Sequence, residues 1–304
     1  MVVDEPVGHT PVLTREVCEL LAVRAGETVL DATVGVGGHA RLFAESLGSE
    51  GTLIGLDVDP ANLAIARRTL SGATCRIELV HANFAELPLI LESIGVAQVD
   101  VLFADLGVSS TQLDDAARGF SFQRDGALDM RMDPRLTTTA ADLVNRLKER
   151  KLGDLLYHNA QERAARRIAK RICEARREKR ITTTGQLARI ISNALGVDPS
   201  SRRTKIHPAT RTFLALRIAV NDEIGCLEAL LDAAPEVLRP GGRIGVIAFH
   251  SVEDKPVKTD FRGRKREGVY QVVTQRPVVA DAQERRANPR SRSAKLRVAI
   301  RLPE

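Results

Sequence analysis

Thr28-Val-Leu-Asp-Ala-Thr-Val-Gly-Val-Gly-Gly-His-Ala40 decides the fold. A short apolar run ends in a carboxylate, Asp31, then passes into glycines and an amphipathic stretch that reaches Leu47. A buried strand, a tight turn and a helix account for that pattern. Glycines in the turn let a ligand approach bare backbone, and the following helix presents unpaired N–H groups. Outward from here the pattern repeats. Thr52-Leu-Ile-Gly-Leu-Asp-Val-Asp-Pro60 is a second apolar run ending in carboxylates, with Pro60 at a first-turn position where its missing N–H costs nothing. Cys75–Val80 and Val99–Asp105 read as strands three and four. Near-continuous apolar strands alternating with helices mean a parallel sheet covered on both faces.

The next strand, Arg243–Phe249, is announced by the turn Leu238-Arg-Pro-Gly-Gly242. From Asp105 to Arg243 is 138 positions, whereas a parallel crossover needs only about a dozen residues. A domain is inserted. Asp142–Leu195 consists almost entirely of helix-forming residues, with Thr182-Thr-Thr-Gly185 as the clearest break. The expected division is an α/β core at 1–133 and 208–304 carrying a helical domain at 134–207. Phe213, Leu216, Val220, Ile224, Leu227 and Leu231 recur at three- and four-residue spacing and predict one crossover helix facing a core. Val269–Gln275 and Ala294–Leu302 are late strands, expected to form an antiparallel edge hairpin.

Charge narrows the class of partner. Lys and Arg number 45 against 39 Asp and Glu, a net charge of +6. Glu162–Arg180 alone holds nine basic and three acidic residues, which leaves 36 of each sign for the rest of the chain. A surplus confined to nineteen residues suggests a polyanion, because neutralised phosphates release condensed counterions. With no Trp, two Tyr and eight Phe, serial base stacking is not the expected mode of binding. A hydrophobic fraction of 43% and a charged fraction of 28% are those of an ordinary globular protein. No apolar run approaches the length of a membrane span and no signal-peptide pattern opens the chain, so a cytoplasmic protein is expected. Cys18, Cys75, Cys173 and Cys226 are far apart, without CxxC or CxxH, so reduced thiols and no metal site are expected.

Gly35-x-Gly37-x-x-Ala40 also fits a dinucleotide fingerprint. Asp57 follows Gly35 by 22 positions and can accept from a ribose diol in either an NAD or an adenosyl cofactor. Three features favour S-adenosylmethionine. Asp31 before the glycines repels a pyrophosphate but suits a methionine ammonium. His81-Ala-Asn-Phe84 closes strand three with a ring placed to cover an adenine. Strand four ends in Asp105-Leu-Gly-Val-Ser-Ser110, at the sheet edge where open α/β folds hold ligands.

The chain resembles the bacterial 16S ribosomal RNA cytosine-N4 methyltransferase family (RsmH/MraW). The matching stretches are His9-Thr-Pro-Val-Leu13, Gly35–His39, Asp105-Leu-Gly-Val-Ser-Ser-Thr-Gln-Leu-Asp114, Arg118–Gly126, Leu128-Asp-Met-Arg-Met-Asp-Pro134, His207–Phe213, Phe249-His-Ser-Val-Glu-Asp254 and Asn288–Arg297. Eight collinear motifs over residues 9–297 cover nearly the whole chain. The resemblance implies a Rossmann-like S-adenosylmethionine-dependent methyltransferase fold with an inserted helical domain for substrate recognition. It implies cofactor contacts at Gly37, Gly38, His39, Asp57, Phe84, Asp105 and Gln112, and a decoding-centre cytidine of the small ribosomal subunit as substrate. No obligatory protein partner is implied, and a homodimer stays open. Pro256 departs from the family, standing where members continue a helix.

A cytosine amine is a poor nucleophile, so the site must align it and accept its N–H bonds as charge develops. Asp105, where many amino methyltransferases place an Asn/Asp-Pro-Pro-aromatic loop, is the first candidate for the polar anchor, and His250 and Ser251 are the second. Phe120 and Phe122, interleaved with Arg124, Asp129 and Arg131 between Arg118 and Pro134, form a candidate lid over an extruded base. Candidate RNA contacts are Arg124, Arg131, Arg163, Arg166, Arg167, Lys170 and Arg171. Two rivals remain: an NAD-dependent oxidoreductase with the same glycine loop, and a non-catalytic ribosome-assembly factor that retains the fold.

Overall fold

The computed structural model describes residues 10–197 and 207–303, so His9 of the first motif lies outside the described residues. From the N-terminal side the order is α1 (Thr14–Leu21), β1 (Thr28–Asp31), α2 (Gly38–Leu47), β2 (Thr52–Asp57), α3 (Pro60–Thr69), β3 (Arg76–His81), α4 (Leu87–Ser93) and β4 (Val99–Asp105). There follow α5 (Ser110–Asp114), α6 (Ala140–Arg146), α7 (Glu149–Ala160), α8 (Ala165–Glu178), α9 (Thr184–Leu195) and α10 (Thr210–Asn221). The chain ends with α11 (Glu223–Val237), β5 (Leu238–Ala248), α12 (Ser251–Arg266), β6 (Tyr270–Val272), α13 (Ala282–Ala287) and β7 (Lys295–Arg301).

Two compact units result: Met1–Gly107 with Ile224–Glu304, and Val108–Glu223. Among the described residues the first unit has seven strands in the order β3-β2-β1-β4-β5-β7-β6. β1 to β5 are parallel, and β7 runs antiparallel to both β5 and β6. This is the Rossmann-like arrangement that the resemblance implies. Alternate residues feed opposite faces. Val29, Val101, Phe103 and Ile247 pack with α1, α2 and α3, while Leu30, Leu102, Ile244 and Val246 pack with α4, α11 and α12. The strand order reverses between β1 and β4, which puts a ligand crevice at their carboxyl ends. No helix among the described residues is long and apolar enough to cross a membrane.

Several expectations are corrected. The helical unit is larger at both ends than 134–207. Phe120, Leu128 and Met130 on one side, and Phe213, Leu216 and Val220 on the other, all lie in its core. The single crossover helix is in fact two. Asp222 takes left-handed backbone (φ 47°) and ends α10, so Phe213, Leu216 and Val220 serve the helical unit while Leu227 and Leu231 serve the sheet. The turn at 238–242 lies within β5 as a bulge: Val99 pairs with Leu238 and Val101 with Arg243. Gly241 there has φ 80°, and a Cβ on Gly242 falls 2.8 Å from the Arg239 carbonyl oxygen. The late strands do pair antiparallel, with β7 inside and the three-residue β6 at the edge. Pro256 does not stop α12, which runs on to Arg266 with Val257 and Phe261 buried beneath it.

Candidate functional site

Five parallel strands bring a polar residue each to one sheet edge. Asp31, Asp57, His81 and Asp105 end β1 to β4, and His250 lies two residues beyond β5. The glycine loop is fastened to two of them. Gly35 N–H donates to Asp57 Oδ2 at 2.9 Å, and Asp57 also accepts from Asp59 N–H (2.7 Å) and the Asn62 amide (3.2 Å). Asp105 N–H donates to Thr33 Oγ1 at 2.6 Å. Gly37, at φ 91°, precedes α2, and a Cβ there falls 3.2 Å from Thr69, so the turn accepts only glycine. Asn83 caps the helical turn that carries half-buried Phe84, and His81 Nε2 contacts the Val58 carbonyl at 2.9 Å.

The electrostatics of this edge are one-sided. Burial pushes the Asp31 carboxyl up to about 7 and Asp57 up to about 6. Asp105 is raised well above the ordinary carboxylate range, first by burial and then by the neighbouring Asp31 and Glu253 charges. Among the described residues no Lys or Arg pairs with any of the three. Asp105 Oδ1 is shielded from solvent and has no hydrogen-bond partner there. Such a site repels a pyrophosphate and attracts a cation, so it fits the ammonium and sulfonium of S-adenosylmethionine and speaks against NAD.

The two histidines are held by protein atoms. His39 is buried, with Nε2 at 2.8 Å from the Val12 carbonyl and Nδ1 at 3.5 Å from Asp105 Oδ2. Its ring leans on Phe103 with centroids 4.8 Å apart. His250 caps α12: Nδ1 accepts from Glu253 N–H at 3.3 Å, and Nε2 lies 2.9 Å from Glu253 Oε1, off the line of a hydrogen bond. Glu253, which the sequence reading passed over, is 2% exposed and takes Phe249 N–H at 2.9 Å. Its signal was the spacing His250-x-x-Glu253, a capping pattern at the start of a helix. Asp254 pairs with Arg297 at 2.7 Å and Lys295 at 3.6 Å, which joins two of the matching motifs structurally.

In the helical unit, Gln112 completes a capping box with Ser109 at the start of α5. The segment expected as a lid is packed instead. Phe120 is buried, and Phe122 stacks on His207 (4.3 Å) and meets Phe213 edge-on. Arg131 forks onto Asp129 through two 2.7 Å bonds and donates to the Leu136 carbonyl. Gly126 and Leu128 hydrogen-bond to the turn before α9, and a Cβ on Gly119 or Gly126 collides with backbone within 2.2 Å. Arg124 is exposed, 3.4 Å from the Asp114 carbonyl. On α8, Ile168, Ala169, Ile172 and Cys173 face the core, and Arg166, Arg167, Lys170 and Arg171 are exposed, as is Arg163 in the turn before the helix. Arg166 pairs with Asp154 at 2.6 Å, and Lys170 and Arg171 with Glu174. Arg163 and Arg167 have no ion-pair partner among the described residues. Arg167, Lys170 and Arg171 line a cleft with the C-terminal end of α9.

Residues 6–302 match the model of the MraW methylase family. The chain belongs to that family. It is 46% identical over 298 residues to ribosomal RNA small subunit methyltransferase H of Acidobacterium capsulatum, covering 96% of this chain and 97% of the relative. It is 47% identical to the protein of the same name from Geobacter sulfurreducens, covering 97% and 99%. Among solved structures it is similar to an rRNA methylase from Streptococcus thermophilus (TM-score 0.41, 13% identity, 95% and 94% covered).

Asp57→Ala in the methylase removes the anchor of Gly35 together with the carboxylate expected to accept from the ribose. S-adenosylmethionine affinity by calorimetry is expected to fall about tenfold to a hundredfold, as hydrogen bonds to a charged group are lost, with the fold intact by circular dichroism. An unchanged affinity removes Asp57 from the donor site.

Proposed function

We propose that this methylase transfers the methyl group of S-adenosylmethionine to the exocyclic N4 of a cytidine in 16S rRNA of the small ribosomal subunit, at the decoding centre. The observation that carries the reading is the cluster of three carboxylates around the glycine loop that no Lys or Arg pairs with among the described residues, with an acceptor at Asp105 Oδ1 that has no partner among them. S-adenosylmethionine supplies a methyl group on a positively charged sulfur. Gly35, Gly37 and Gly38 give it close approach to backbone, Asp57 accepts from its ribose, and Phe84 covers its adenine. Asp31 and Asp105 balance its positive charge.

Asp105 is the polar anchor of the reaction. Burial favours its protonated form in the free protein, and a cation beside it draws the carboxylate out. As a carboxylate, Oδ1 can accept an N–H of the target amine while positive charge develops on that nitrogen, and can take the surplus proton once the bond to carbon has formed. His39, at 3.5 Å from Oδ2, holds the other oxygen in place. His250, whose Nδ1 accepts from the Glu253 N–H at the start of α12, positions the turn after β5. The exposed cations of α8, with Arg124, bind RNA phosphates; Arg131, committed to Asp129, holds its own loop.

Incubation with methyl-labelled cofactor and unmethylated small subunits, beside the same rRNA stripped of protein, is the test. Label at a single cytosine N4, stronger on the assembled particle, is expected. Absence of label from both substrates overturns the reading.

A further inference from the structure

The basic helix begins beside an aromatic ring that methyl transfer does not use. Tyr157 on α7 is 55% exposed, whereas Tyr270, the chain's other tyrosine, is 1% exposed. Its neighbour His158 is exposed too, and the rings meet edge-on with centroids 5.4 Å apart. Arg150, Asp154 and Tyr157 recur at three- to four-residue spacing and so share one face of α7. Arg166 from α8 crosses that face, donating to the Arg150 carbonyl at 2.9 Å and to Asp154 Oδ1 at 2.6 Å. Gly153 leaves room for the crossing, since a Cβ there falls 3.1 Å from Arg166 Cδ. α7 ends one turn later, where Gln161 N–H donates to the Tyr157 carbonyl, and the chain turns into α8. Arg163 lies in that turn and Arg167 in the first turn of α8. Both are exposed, and neither has an ion-pair partner among the described residues.

An exposed ring in the last turn of α7, followed within ten residues of chain by two exposed guanidinium groups that have no ion-pair partner among the described residues, has the two parts of a single-strand grip: a face for a base and charge for its phosphates. We propose that Tyr157, with Arg163 and Arg167, is a stacking site for an unpaired base of the RNA substrate. The inference rests on the rRNA reading above and assigns a second kind of contact to the helical unit, beyond phosphate neutralisation.

The chain has no tryptophan, so Tyr157→Trp gives it one indole, which can be excited where RNA absorbs little. A single-stranded oligoribonucleotide is expected to quench that emission. Inorganic polyphosphate and an RNA duplex, which carry charge without free base faces, are expected to leave it unchanged. Tyr157→Ala is expected to weaken oligoribonucleotide binding about tenfold, with polyphosphate binding, melting temperature and S-adenosylhomocysteine affinity unchanged; Tyr157→Phe binds like the parent. Equal oligoribonucleotide affinity in Tyr157→Ala and parent, or equal quenching by polyphosphate, overturns the site. A loss seen with assembled subunits but not with the oligoribonucleotide assigns the ring to a ribosomal protein and also overturns it. Tyr157-dependent oligoribonucleotide binding by a protein that methylates neither rRNA nor subunits retires the reaction above and leaves the stacking site standing.

Discussion

Asp105→Asn is expected to lower methyl transfer by about 10²–10³-fold, the usual loss when a group aimed at developing charge is removed, while raising the melting temperature of the unliganded protein. The two effects have one origin. Asp105 Oδ1 is shielded from solvent, it has neither a hydrogen-bond partner nor a Lys or Arg beside it among the described residues, and burial with neighbouring charges raises the Asp105 pKa. The folded protein therefore holds a proton there that the unfolded chain releases near pH 4, and stability is lost between those two values. The same sign applies to Asp57 and Asp31. Their contribution is present below about pH 4 and disappears as pH rises through about 6 and about 7. Asp129 and Asp254, held low by Arg131 and Arg297, act oppositely and lose their contribution only in acid below that window. The unliganded protein is thus expected to melt at progressively lower temperature from pH 5 to pH 8. Asparagine at 105 removes the share of that decline that Asp105 contributes, because it has no proton to lose. Scanning calorimetry across this range, with single-turnover methylation in parallel, checks both halves. A variant that is inactive but less stable contradicts the account, since it makes Asp105 a structural support and not a strained functional group.

The second large effect concerns the basic helix. Changing Arg163, Arg167 and Lys170 together to Glu is expected to cost about a hundredfold or more in RNA affinity near physiological salt, and to lower the slope of log K against log salt by about 2, at roughly 0.7 per lost single-strand phosphate contact. Arg166 is left out because it ties α8 to α7 through Asp154 and the Arg150 carbonyl, whereas the Lys170–Glu174 contact is a long one, 4.0 Å, within a single exposed helix. Cofactor affinity and melting temperature should be unmoved, since all three altered side chains are exposed. A drop in stability at constant RNA affinity makes this face ordinary solvated surface.

The strands could be read because a parallel sheet buried on both faces leaves uninterrupted apolar runs, and the donor loop because its glycines and carboxylates are local in sequence. The break at Asp222 could not be read. The spacing Phe213, Leu216, Val220, Ile224, Leu227, Leu231 stays in phase across it, and periodicity records that a stripe is buried without recording which core buries it. Histidine roles were hidden for another reason: the partner of His39 is a carbonyl 27 residues away, and Glu253 reads as a surface residue in a first helical turn. Phe120 and Phe122 between arginines suggested an open lid, but the rings that Phe122 packs on sit about ninety residues downstream, at His207 and Phe213, and Phe120 is buried in the same core. Tyr157 was missed because a lone ring in an amphipathic helix normally belongs to the interior.

The chain leaves the first unit after Gly107, at φ 114°, and returns just past Asp222, at φ 47°. Among the described residues between these points none contributes a strand to the sheet. Joining the two ends would leave β4, α11 and β5 as an ordinary crossover of sufficient length. The helical unit is in effect a cassette set into one crossover of a sheet that keeps its own core, so changes on the cassette's solvent face leave the packing around the glycine loop unaltered.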